Sequence, residues 1–143
     1  MHIEVRNAFK LGASAAMGVF GLADFVIGGL HVLGTRQKTA ASLLCAAGMV
    51  QLAVGVIMHK SLPREARSGM VSRTTGTLVS GAAFKVGLPI AQKMVERMGL
   101  SPEAVVQRIV VAVVIQQTFS WVVGGLGAIV VWSAMRRCQR LLG

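Results

Sequence analysis

Three long stretches of this chain lack the regular return of polar positions that a water-facing surface imposes. Leu11 to Leu33, LGASAAMGVFGLADFVIGGLHVL, is a run of 23 residues in which only Asp24 and His31 can ionise. Thr39–Met58 and Ile109–Trp132 contain no charged side chain. A helix of the first length extends ~35 Å, enough to cross a hydrocarbon core of ~30 Å. Each run therefore predicts a membrane-crossing helix. The last is rich in Val and Ile, which suits strands, but its uncharged length is far beyond an ordinary strand.

The polar positions punctuate these runs. Gly34 suits a helix C-cap and is followed by the basic turn Thr35-Arg36-Gln37-Lys38. So short a connection predicts an antiparallel helical hairpin over about 11–33 and 39–58. After His59-Lys60 comes SLPREARSGMVSR, the most polar stretch of the chain and the candidate aqueous connection between two halves. Thr77–Ala91 is apolar but short and carries Lys85 and Pro89, so it predicts a short, tilted or kinked third span over about 74–92. Ser101-Pro102-Glu103 reads as a helix start, opening a long C-terminal span over about 103–135. The expected fold is all-α, a single polytopic membrane domain over 1–143. Arg6 and Lys10 ahead of an apolar run, with Gly21-Leu22-Ala23 beyond, resemble a signal peptide. The apolar run continues well past those residues, which favours an uncleaved first span.

Fifteen Lys and Arg against five Asp and Glu give a net charge of +10, and the mean hydropathy is +0.67. Nucleic-acid binding is disfavoured, because the basic residues cluster at the ends of apolar segments and there is no Tyr for base stacking. Contact with anionic lipid headgroups explains the same charge, with Arg36, Lys38, Lys60, Arg136, Arg137 and Arg140 as the contacting residues. Both a three-span and a four-span topology leave an excess of basic residues on one side, so charge does not choose between them. The polar positions favour four. In that arrangement Asp24, Lys85 and Gln116 reach a similar depth, with Gln117 beside them and Gln51 outside the group.

A charge at such depth costs about 2.5–3.5 kcal/mol or more and needs a partner. Asp24 with Lys85 is the expected pair, either as a clasp between helices or as an ion site. Gly21, Asp24, Gly28 and His31 share one helix stripe, and Gly21, Gly28, Gly81 and Gly124 are expected to let helices approach closely. Trp132 is expected at a membrane interface, and Trp121 against another helix.

No candidate chemistry accompanies this. Cys45 and Cys138 form no disulfide framework, and no zinc spacing, carboxylate cage, phosphate loop or nucleophile elbow appears. In the hairpin His31 and His59 lie at opposite ends, too far apart to share one iron. Ser72-Arg73-Thr74-Thr75-Gly76 resembles the Arg-x-Ser/Thr-Gly turn in the membrane-anchor subunits of succinate dehydrogenase. The histidines that accompany it there have no counterpart here, so neither a haem nor that membership is carried over. The expectation is a non-catalytic subunit without cofactor, with a structural or assembly role in a larger membrane complex. Its partners are lipids and other membrane subunits, in a mitochondrial or bacterial inner membrane. The alternative is an oligomeric pore or small ion-coupled transporter using Asp24 and Lys85.

Overall fold

In the computed structural model, which describes residues 2–34, 38–100 and 103–143, the chain is all-helical and no strand occurs among the described residues. The elements are α1 (His2–Gly34), α2 (Lys38–Lys60), α3 (Arg64–Ser68), α4 (Met70–Ala82), α5 (Leu88–Arg97), α6 (Val105–Phe119) and α7 (Gly127–Leu142). Two π-helical segments, Ala83–Gly87 and Ser120–Leu126, join α4 to α5 and α6 to α7. Three helical stretches are long and apolar enough to cross a membrane: Glu4–Leu30, Lys38–Lys60 and Val105–Leu142.

The third apolar segment is not among them, although its helix is unbroken from 70 to 97. Arg73, Lys85 and Lys93 lower its hydropathy without ending it. Pro89 explains the irregular turn. Proline has no N–H to donate, and its ring crowds the carbonyl four residues back, here that of Lys85. The helix widens by one residue at that point, so that the Leu88 N–H reaches the Ala83 carbonyl.

The last helix starts at Val105 rather than at the Ser-Pro-Glu motif, and Ser101 and Pro102 lie outside the described residues. Helix α1 also takes in the residues from His2 to Lys10, ahead of Leu11. They are the first turns of α1, with Asn7 and Ala8 buried. Ser72–Gly76 lies within α4, so the resemblance to a turn of the anchor subunits ends in a regular helix.

α1 is the central post, touching α2, α3, α4, α6, α7 and both π segments. Contacts with α2 run in opposite order along the two helices. Gly28 meets Ala41 and Cys45, Gly21 meets Gly48 and Leu52, and Ser14 meets Gly55. On the other side, Gly12 lies against Gly124, and the Phe9 ring covers Gly125. The core falls into two clusters along this post. One gathers Ala8, Leu11, Leu62, Ala66, Val71 and Trp132, so the polar connection 61–69 is folded back under α1 through its few apolar residues. The other gathers Ala16, Phe20, Val79, Ala83 and Ala128, with Phe20 edge-on to Phe119 at 5.7 Å.

Trp121 lies against another helix, as expected, while Trp132 is drawn into the bundle. Trp132 is buried in the first cluster with its indole N–H unpartnered, whereas Trp121 is half-exposed and leans on Phe9 at 5.8 Å. Trp132 faces α1 because α7 is rotated to bring Ala128 inward one turn earlier. Arg136 covers the Trp132 ring at 5.8 Å and reaches Glu4 at 3.7 Å. Both charged side chains are about half exposed, so solvent screens the pair. Arg136→Gln is expected to lower stability by less than about 1 kcal/mol, even with the ring contact included. Thermal unfolding in mild detergent measures it, and a larger loss means that this link carries more of the fold than its exposure implies.

Candidate functional site

Three buried polar residues from separate helices meet at one point. Asp24 of α1 accepts a hydrogen bond at each carboxylate oxygen, from Gln51 Nε2 to Oδ2 and from Gln116 Nε2 to Oδ1, both at 3.1 Å. Gln51 Nε2 also donates to Gln116 Oε1 at 3.3 Å. The two hydrogens of the Gln51 amide are thereby used, and the three side chains close a ring linking α1, α2 and α6. All three residues are buried, and Gln51 Oε1 is left without a partner.

Helix geometry brings them together. Gly48 has no side chain, which allows its backbone to rest against that of Gly21 and Phe25. At this separation the short Asp24 side chain reaches Gln51 one turn along. On α6, Ser120 is fully buried and donates through Oγ to the Gln116 carbonyl at 2.9 Å, where the second π segment begins.

This corrects the expected pairing. Lys85 is exposed on the first π segment, and Asp24 has amide partners instead. Matching by depth alone does not register the direction in which a side chain points. Gln117 is half-buried and belongs to none of these bonds. Gln51, set outside the group by its sequence depth, is its centre. A sequence signal for it does exist: Gly48, Gln51 and Gly55 repeat the spacing of Gly21, Asp24 and Gly28. The two stripes are facing surfaces of one packed helix pair.

Among the expected packing glycines, Gly21, Gly28 and Gly124 lie against neighbouring backbone, with Gly124 on Gly12. Gly81 does not. A Cβ placed there meets nothing within 4 Å. Of the expected headgroup contacts, Lys38, Lys60, Arg136, Arg137 and Arg140 are exposed, and Arg36 lies outside the described residues.

A cavity of about 690 Å³ reaches the ring, with Asp24 and Gln116 on its wall beside Ala41, Ala91, Glu96 and Arg108. The ring holds a single ionisable group. It can therefore hold helices together, or accept one proton or cation, but it has no second group to share acid–base work. Among the described residues no group of three or more His, Cys, Asp or Glu is placed to hold a metal ion. Cys45 is half-buried and Cys138 exposed, both as free thiols. No family model, no curated protein and no solved structure matches the chain.

Proposed function

We propose that the chain is an integral membrane protein with a non-catalytic, structural role as a subunit of a larger membrane assembly. The observation that carries this is the distribution of polarity. The polar ring is turned inward, while Leu30, Val50, Ile57 and Val130 stand more than 60% exposed on the outside of the bundle. In water such a surface is a liability, whereas lipid tails and neighbouring helices cover it without cost. The opposite order of the α1 and α2 contacts supports an antiparallel hairpin as its foundation. The helix over 70–97, broken in polarity by Arg73 and Lys85, suits a tilted or partly embedded position alongside.

In this reading the Asp24–Gln51–Gln116 ring fixes the rotation and register of three helices. A membrane interior rewards hydrogen bonds only modestly, so such rings act more on specificity than on total stability. A second reading is favoured by the cavity that reaches Asp24: a site for a proton or small cation, in a pore or coupled transporter. Lys85 has no part in that version.

Purification of the chain in mild detergent, at its native abundance, separates the two. The structural reading expects one particle that contains several other membrane proteins in fixed ratio. Recovery of the chain alone or as a homo-oligomer sinks it. Liposome conductance with Asp24→Asn then tests the second.

A further inference from the structure

A groove of about 1250 Å³ runs over α1 between α2 and α4 and plays no part in the Asp24 ring. Its two ends differ in chemistry. Lys60, Arg67 and Arg73 line it together with His59, and no Asp or Glu does. These residues gather at one end of the groove. Gly55 of α2 lies against Ser14 and Gly18, so Lys60, just over a turn further on, comes level with Leu11. Ala66 and Val71 pack with Leu11 in the first cluster, which brings Arg67 and Arg73 to the same level. Toward the other end the lining is apolar, including Leu22, Val26 and Phe84.

The groove owes its depth to missing side chains. Gly18, Gly76 and Gly81 all line it, and a Cβ at any of them meets nothing within 4 Å. These glycines are unlike Gly21, Gly28 and Gly48, where neighbouring backbone leaves no room. Nothing within the chain requires glycine at the three groove positions, and the absence of side chains there leaves room for an occupant. From the level of Leu11 to that of Val26 a helix advances ~22 Å, longer than one leaflet of a ~30 Å hydrocarbon core.

We infer that this groove binds one anionic phospholipid, with its phosphate held by Lys60, Arg67 and Arg73 and an acyl chain laid over Gly18, Gly76 and Gly81. The inference rests on the membrane reading above and deepens it. Guanidinium groups match phosphate oxygens in a bidentate way, so Arg67 and Arg73 provide the selectivity. Lys60, on a flexible stem, adds charge at the membrane surface. An adjoining headgroup also gives a polar neighbour to Arg67, whose Nε is buried without a hydrogen-bond partner.

The test uses the full chain, first in membranes and then in mild detergent. Carbonate washing comes first: release of the chain into the supernatant overturns the membrane reading and this inference with it. Native mass spectrometry of the retained, delipidated chain is then run with phosphatidylglycerol, phosphatidylcholine or inorganic phosphate. The expected result is one phosphatidylglycerol per chain, bound at least tenfold tighter than phosphatidylcholine and not displaced by phosphate. Arg67→Gln with Arg73→Gln should remove that preference, while Gly76→Leu or Gly81→Leu, which have open space around them, should weaken both lipids. Arg140→Gln, off the groove, should change nothing. Equal retention of the two lipids, binding that survives the arginine changes, or displacement by phosphate alone overturns the groove site while the membrane reading stands.

Discussion

Gln116→Leu is expected to destabilise the helix bundle by about 2–3 kcal/mol, although leucine is the more comfortable residue in lipid. The wild-type amide donates to Asp24 Oδ1 and accepts from Gln51. Its removal leaves one oxygen of a buried carboxylate without a donor and frees half of the Gln51 amide. The cost arises from the groups left behind rather than from the bond itself. It follows that replacing Asp24, Gln51 and Gln116 together by leucine should be milder than the single change, because no buried polar group then lacks a partner.

Cys45 gives the readout. It packs against Gly28 at the α1–α2 contact and is half-buried, so its labelling rate reports separation of these helices in a Cys138→Ser background. A single mutant that labels no faster than the triple one contradicts the account of the ring. Lys85→Gln should leave labelling unchanged, and exchanging the residues at 24 and 85 should rescue nothing, because Lys85 stands outside the bundle.

The other large effect is steric. A Cβ on Gly48 would lie 2.6 Å from the Gly21 carbonyl oxygen and closer still to the Phe25 nitrogen. Backbone atoms cannot swing aside as a side-chain tip can, so the helices must separate. Gly48→Ala is expected to cost about 1–3 kcal/mol, as overpacking in a tight core does, and Gly48→Leu to abolish the α1–α2 contact. The ring fails with it, because Asp24 then no longer reaches Gln51.

Gly81→Ala is the matched control. It adds the same methyl group to a helix in open space, with an expected change between zero and about 1 kcal/mol of stabilisation. Thermal unfolding in detergent, alongside Cys45 labelling, compares the pair. If Gly48→Ala melts with the wild type, the close approach of α1 and α2 is not what holds them.

The sequence by itself determined that the chain is all-α and that three of its stretches are long and apolar enough to cross a membrane. Long uncharged runs and the polar breaks between them are properties of neighbouring residues, and helix formation is governed at that range. It also showed that Asp24 required a partner, since a lone charge in an apolar run is a local anomaly. The identity of the partner was a different kind of question. Gln51 and Gln116 lie 27 and 92 residues from Asp24, and their meeting depends on how each helix is rotated about its axis. Packing sets that rotation: Gly48 on Gly21, and Gly124 on Gly12.

Depth along a helix was legible, but the direction in which a side chain points at that depth was not. Lys85 has the depth and faces outward, whereas Gln51 lies outside that depth and faces inward. The same distinction divides the glycines. Gly21 and Gly81 look alike in the sequence, and only the neighbouring helices decide that one is a contact and the other the floor of a groove.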